Sequence, residues 1–307
     1  MKLVRETRRK LGRGFVLLAP PQTHLTLFDH VDDNPERHRR LLADAQKLRG
    51  SIYVRDGAIQ PWQLSAGGRH IQRADELSWH LLTVDQSDSV TACIRYFAHE
   101  PGASFWDLMV SRSPLAQSAY LGPRVREAVQ AELDCARQRG FSYVELGGWA
   151  ICEQLRCTTE ALRTLLTVYA LSQLLGGALG ISAATTRHHS SSILRRVGGR
   201  PLMARGGEVP PYYDSQYNCE MELLSFDSMS PNPRYAEWIR ECREAILEVP
   251  VVAGQTVACQ TVACQTMDTS ANDLLRLQLA LSDPAERPAT LPSPPASKEL
   301  AAVQANQ

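Results

Sequence analysis

Four groups of residues carry side chains suited to chemistry. Glu145 stands two positions before the pair Gly147-Gly148, and Trp149-Ala150-Ile151 follow directly. A carboxylate there can accept a proton, directly or through water, or it can hold a structural salt bridge. Adjacent glycines in a strand permit a bulge and the close approach of another chain, or they mark an irregular strand end. Arg49 lies one helical turn before Tyr53, so the two side chains point the same way. Asp75 and Arg95 are separated by 20 positions. An arginine fork makes two parallel hydrogen bonds to a carboxylate. Arg49, Asp75 and Arg95 therefore read as a polar clamp for a small charged ligand, with an ion pair buttressing a hairpin as the alternative. Arg37, Arg39, Arg40 and Lys47 make the outer side of the first helix basic, which suits an acidic partner or is a solvated face. Finally, Gln154-Leu155-Arg156-Cys157-Thr158-Thr159 precedes a helix whose free N–H groups suit a phosphate. An ordinary capped helix start is the alternative there.

These groups need elements to position them. Asn34-Pro35-Glu36 offers an N-cap with proline at the first helical position. Leu41, Leu42, Ala45, Leu48, Ile52 and Tyr53 then recur at helical spacing. Trp79–Val84 and Val90–Phe97 are strand-like runs joined by Asp85-Gln86-Ser87-Asp88-Ser89, which predicts a hairpin. A helix is predicted over Pro123–Arg139, stopped by Gly140. A strand follows from Phe141 through the glycines to Ile151, then an amphipathic helix from about Thr158 to Leu175. Ile181–Thr186 reads as a strand, Ser190–Val197 as a short helix stopped by Gly198-Gly199, and Leu202–Ala204 and Cys219–Leu224 as closing strands.

The 33 basic and 33 acidic residues balance, so no global charge argues for nucleic acid or an anionic membrane. The eight cysteines form no C-x-x-C pair and fit reduced thiols in a cytoplasmic protein. The histidines are scattered without metal-ligand spacing, and no metal is expected. His188-His189 beside Ser190 lacks the Gly-x-Ser-x-Gly elbow of a serine hydrolase. Residues 1–33 read as a basic flexible arm, because Phe15–Ala19 is shorter than a signal-peptide apolar region. Residues 34–250 read as one mixed α/β domain. The stretch 251–307 reads as a mostly disordered tail with a Gln-Thr-Val-Ala-Cys repeat and many prolines.

Several motifs together resemble the acyl-homoserine-lactone (autoinducer) synthases and the long-chain N-acyl amino acid synthases, which have the GNAT fold. The matching features are Arg49 with Tyr53, Asp75 with Arg95, and Trp79-His80-Leu81-Leu82 between them. To these are added Glu145 with Trp149, and Thr185-Thr186 followed by Ile193-Leu194-Arg195-Arg196-Val197-Gly198. The sequence departs from the pattern at Gln72, where the family has an acid, and at Gly148, where it has an arginine before the central-strand aromatic. Trp62 is the one candidate for the family's entry-loop aromatic, and the stretch from Arg95 to Glu145 is longer than in the family.

The resemblance implies an α/β GNAT fold, with a mixed central sheet flanked by helices and a disordered C-terminal tail. It implies an N-acyltransferase moving an acyl group from an acyl carrier protein or coenzyme A thioester to the amine of an amino acid or related molecule. A homoserine-lactone synthase using S-adenosylmethionine, and a non-catalytic carrier-binding module, are the alternatives. Glu145, Gly148 and Trp149 are then expected at the reacting centre. Arg49, Tyr53, Asp75, Arg95, Thr185 and Thr186 would hold substrate, and Ala150, Ile151, Arg156, Thr158 and Thr159 the thioester arm. Arg37, Arg39, Arg40 and Lys47 would meet the acyl carrier protein.

Overall fold

The computed structural model describes residues 14–21 and 23–254. In chain order the elements are β1 (Gly14–Ala19), β2 (Val31–Asp33), α1 (Pro35–Arg55), β3 (Trp79–Val84), β4 (Val90–His99), α2 (Pro114–Gln117) and α3 (Gly122–Arg139). There follow β5 (Ser142–Ile151), α4 (Glu160–Leu174), β6 (Ala178–Thr185), α5 (Ser190–Val197), β7 (Arg200–Pro201), β8 (Met203–Ala204) and β9 (Gly207–Glu208). The last are β10 (Tyr212–Asp214), β11 (Cys219–Asp227), α6 (Ala236–Ile246) and β12 (Val251–Ala253).

The main sheet runs in the order β10-β11-β6-β5-β4-β3-β1-β12-β2, with β7 added to β11. It is mixed: β5–β6, β1–β12 and β12–β2 pair in parallel, and the neighbours β3–β4, β4–β5 and β6–β11 are antiparallel. Strand side chains alternate between faces, and β1 displays this plainly. Val16 and Leu18 pack with Leu41 and Ala45 of α1, whereas Phe15 and Leu17 pack in the cluster built by α4 and α6. The third cluster joins α3 to Tyr143, Ile181 and Leu223. Helices thus cover both faces, as the α/β reading requires. Among the described residues, no helix is long and apolar enough to cross a membrane.

Local signals account for most helix ends. The Asn34 side chain accepts the Arg37 N–H at 2.9 Å, and Pro35 opens α1. Gly140 stops α3 in the left-handed conformation at φ 66°. Gly50 sits inside α1, where glycine costs about 1 kcal/mol relative to alanine. A Cβ there would lie 2.7 Å from the Gly68 carbonyl, so the glycine lets the loop carrying His70 settle on the helix.

Two stretches depart from the sequence reading. Residues 14–19, placed in a flexible arm, form β1 between β3 and β12, with Leu17 and Leu18 fully buried. Their unbroken apolar run is what a strand covered on both faces looks like. Val31–Asp33 forms β2 at the sheet edge. Val251–Ala253, assigned to the disordered tail, is a buried strand inserted in parallel between β1 and β2. Of the expected arm and tail, residues 1–13, 22 and 255–307 lie outside the described residues.

Candidate active site

Arg49 of α1, Asp75 of the loop before β3 and Arg95 of β4 meet in one buried cluster. Arg49 donates from Nη1 and Nη2 to the two Asp75 oxygens at 3.1 and 2.6 Å. Arg95 Nη1 donates to Asp75 Oδ1 at 2.9 Å and to Gln72 Oε1 at 2.6 Å. Asp75 also accepts from Gln46 Nε2 at 3.0 Å and from the Gln72 backbone N–H at 2.9 Å. Arg49 and Arg95 are each only 2% exposed, and Asp75 1%. Arg49 Nε donates to His70 Nδ1 at 3.2 Å, which leaves the imidazole proton on Nε2. Arg49 Nη2 also donates to the His70 carbonyl. His80 Nε2 donates to the Asp75 carbonyl at 2.7 Å.

The electrostatics follow from this packing. Burial alone would raise the Asp75 carboxyl, but the Arg49 hydrogen bonds and the charges of Arg49 and Arg95 hold it well below the usual carboxylate range. Burial, reinforced by the Arg49 charge, lowers His70 to about 4. Burial also lowers His80 to about 4 and raises Cys93 to about 11. Tyr53 and Tyr217, edge to face at 6.2 Å, are raised by burial too. At neutral pH the cluster therefore holds two guanidinium cations, one carboxylate and neutral rings. Among the described residues, Asp75 is the only carboxylate in ion-pair contact with either arginine.

The glycine pair lies against these arginines. Cys93 pairs with Ala150 and Arg95 with Gly147, so Gly148 and Trp149 together oppose Ile94 and form a β-bulge. Gly148 has φ 61°, and a Cβ on it would come 2.7 Å from Arg49 Nη1; one on Gly147 would come 3.3 Å from Arg95 Nη2. The groups that approach so closely are the Arg49 side chain from α1 and the Arg95 side chain from β4, which explains the glycines from inside the protein. Tyr53 Oη donates to the Trp149 carbonyl at 3.4 Å on the same bulge.

Just before the bulge, the sheet opens. β5 pairs with β6 in register only from Ser142↔Ala178 to Glu145↔Ile181. Beyond that, β5 follows β4 as far as Ala92↔Ile151, while β6 follows β11 to Met221↔Thr185. The β6-facing edge of Leu146–Ile151 is left without a ladder partner. On the α4 side of this parting lies an apolar cavity lined by Tyr96, Val144, Leu146, Val168, Tyr169 and Phe226.

No protein-family model and no curated protein matches the sequence. Solved structures do match. One is the AHL synthase LasI, at 17% identity and TM-score 0.39 over 62% of this chain and 84% of that one. The CoA-dependent acyl-homoserine lactone synthase BjaI, solved with SAM and isopentyl-CoA, matches at 14% and 0.44 over 72% and 90%. FeeM, an N-acyl amino acid synthase from uncultured soil microbes, matches at 12% and 0.36 over 61% and 84%. The chain resembles these synthases in structure.

Other expected site residues fall differently. Glu145 is 4% exposed and holds the segment after β4: its oxygens accept the N–H groups of Met109 and Val110 at 2.8 and 2.9 Å and His99 Nε2 at 2.9 Å. Its carboxylate thus anchors backbone. Arg156 is turned to Asp56 at 2.5 Å, so its charge is spent on the end of α1. Thr158 Oγ donates to the Leu155 carbonyl at 2.7 Å and accepts the Glu160 N–H at 3.2 Å, and Thr159 makes no side-chain cap. Thr185, at the half-buried end of β6, and Thr186, exposed just after it, donate to the carbonyls of Arg187 and Glu220 at 2.9 and 3.2 Å, and neither lines the apolar cavity. Ala150 and Ile151 continue β5 past the bulge. On the outer face of α1, Arg37 and Arg40 pair with Asp88, Arg37 also with Asp32, and Lys47 with Asp44, while Arg39 Nε donates to the Pro35 carbonyl. Arg37, Arg40 and Lys47 thus face carboxylates, while Arg39 meets only a carbonyl, so the face offers an acidic partner less net charge than its four cations suggest. Trp62 is 79% exposed. Sequence reading passed over Gln46, His70, His99, Met109 and Tyr217, whose involvement depends on contacts between distant segments.

Proposed function

We propose that this protein is an N-acyltransferase that moves an acyl group from a carrier-protein or coenzyme A thioester to the amine of an amino acid or related small molecule. The observation that supports this most is the parting of β5 from β6 beside the Gly148 bulge and the buried Arg49–Asp75–Arg95 cluster. A thioester arm laid along the freed edge of β5 would meet a backbone N–H such as that of Ile151, which alternation turns away from β4 because the Cys152 N–H bonds to Thr91, and which is oriented before the reaction. Donors fixed in advance stabilise a developing oxyanion best. The apolar cavity beneath is about 20 Å³, so Leu146, Val168, Tyr169 and Phe226 would have to part to admit an acyl chain. The acceptor nitrogen attacks the carbonyl carbon, the C–S bond breaks, and the thiolate leaves while the nitrogen loses a proton.

A carboxylate has about four acceptor positions, and three on Glu145 are occupied. The fourth is the place for a water that relays the proton. Arg49, Tyr53, Asp75 and Arg95 would orient the acceptor. With Arg37, Arg40 and Lys47 already paired to aspartates, a carrier protein would dock at the strand opening. A non-catalytic carrier-binding module is the second reading, favoured by the engagement of Glu145 in holding backbone. The test is incubation of purified protein with acyl-carrier and acyl-CoA thioesters of several chain lengths and pooled amino acids. N-acyl products by mass spectrometry, lost in Arg49→Lys, are expected; carrier binding without product from any donor would leave the second reading standing.

A further inference from the structure

Arg95 is satisfied on one side only. Its Nη1 serves Asp75 and Gln72, but its Nε, although buried, has no hydrogen-bond partner. Its Nη2 meets only the thioether of Met109, at 3.3 Å. Thioether sulfur is a weak acceptor. Nε–H and Nη2–H point the same way and form the side fork of a guanidinium, the geometry that grips a carboxylate with two parallel bonds. The cluster also carries one uncompensated positive charge, because Gln72 faces Arg95 with a neutral amide and the two histidines are neutral. A buried charge without a counter-ion is costly. Gly147 contributes no side chain beside Nη2, where even a Cβ would come to 3.3 Å.

We infer that the Nε/Nη2 edge of Arg95 is the subsite for the acceptor's carboxylate and that Met109 is a displaceable cover over it. Met109 belongs to the segment between β4 and α2, and its side chain is only partly buried, so it can swing out while the backbone stays. The backbone is held by the Glu145 carboxylate, which accepts the N–H groups of Met109 and Val110 and is itself oriented by His99. Glu145 is then a positioning residue for the cover as well as the proposed relay. An entering carboxylate exchanges a sulfur contact and an orphaned donor for two charge-assisted hydrogen bonds, and supplies the missing negative charge. The site discriminates against amines without a carboxylate, because with them the fork stays unpaired.

This inference rests on the acyltransferase reading, but its test does not. L-Amino acids, their carboxamides and the corresponding decarboxylated amines are titrated into the full chain without any thioester, and binding is followed by calorimetry. At least one L-amino acid is expected to bind about tenfold or more tightly than its amide, the discrimination of a charged hydrogen-bonded pair. Met109→Ala, with nothing to displace, binds that amino acid several-fold more tightly, and Met109→Leu, which keeps bulk without sulfur, does not bind it more weakly. Arg95→Lys, folded by circular dichroism, loses the preference over the amide. Equal binding of acid and amide, no binding of any amino acid, or weaker binding by Met109→Ala overturns the inference. Absence of acyl products in the separate thioester assay would count against the acyltransferase reading alone.

Discussion

Gly148 shows how one residue carries two constraints. Its φ of 61° is strained for any other residue, and a Cβ there would strike Arg49 Nη1 at 2.7 Å. Gly148→Ala is expected to cost roughly 1–3 kcal/mol and to lower any transferase rate, since Arg49 must shift; urea denaturation with parallel turnover checks both. Gly147, at ordinary φ, should tolerate alanine with less loss of stability. Glu145→Gln is informative because the amide nitrogen replaces an oxygen that accepts backbone N–H groups. Leaving one of those donors unmet costs about 1–3 kcal/mol, so the variant should melt earlier as well as turn over more slowly. A variant of unchanged melting temperature would show that the bonds to Met109 and Val110 contribute little.

Among the elements, β12 carries the clearest structural prediction. Three residues near the compositionally biased tail complete the sheet between β1 and β2, with Val252 fully buried against α1. Val252→Asp would bury an unpaired carboxylate among Val16, Leu18 and Leu41. Its expected cost, roughly 3–5 kcal/mol, is enough to abolish cooperative unfolding or soluble expression. Arg240→Ala on the exposed side of α6, whose pairs with Glu237 and Glu244 are surface pairs, should leave the melting curve where it was. Equal behaviour of the two variants would contradict the placement of β12. Elsewhere, α4 is anchored through Glu160, whose carboxylate takes a bidentate bond from Arg163 at 2.9 and 3.0 Å and a hydroxyl bond from Thr83 at 2.5 Å.

For the whole molecule, buried histidines set the response to acid. His38, His70 and His80 are all depressed, by burial first, the last two to about 4. As pH falls below about 6.5, the unfolded chain takes up protons that the folded chain does not, so stability declines until the folded values are reached. His70 and His80 each contribute up to roughly 3 kcal/mol to that decline. Asp75, depressed in turn, adds a loss below about pH 4, as its carboxylate protonates in the unfolded chain first. The melting temperature should therefore fall between pH 7 and 4, and His80→Gln should flatten the curve. A flat native profile over that range would mean that these imidazoles are not buried neutral.

Short-range rules were enough for much of this architecture. The Asn34-Pro35 helix start, the Gly140 stop, the β3–β4 hairpin and the strand through the glycine pair are set by residues within a few positions of each other, and so were legible in the sequence. Arg49, Asp75 and Arg95 were legible as candidates because their types and order matched a family pattern. What each one touches was decided only by folding. Gly148 admits an arginine from α1, Glu145 holds Met109 and Val110, Arg156 turns to Asp56, and Gly14–Ala19 and Val251–Ala253 join side by side although they lie at opposite ends of the described chain. Such pairings depend on which faces meet across the sheet. A periodicity states that a face is apolar or charged, whereas the partner against that face is chosen by packing of the whole domain.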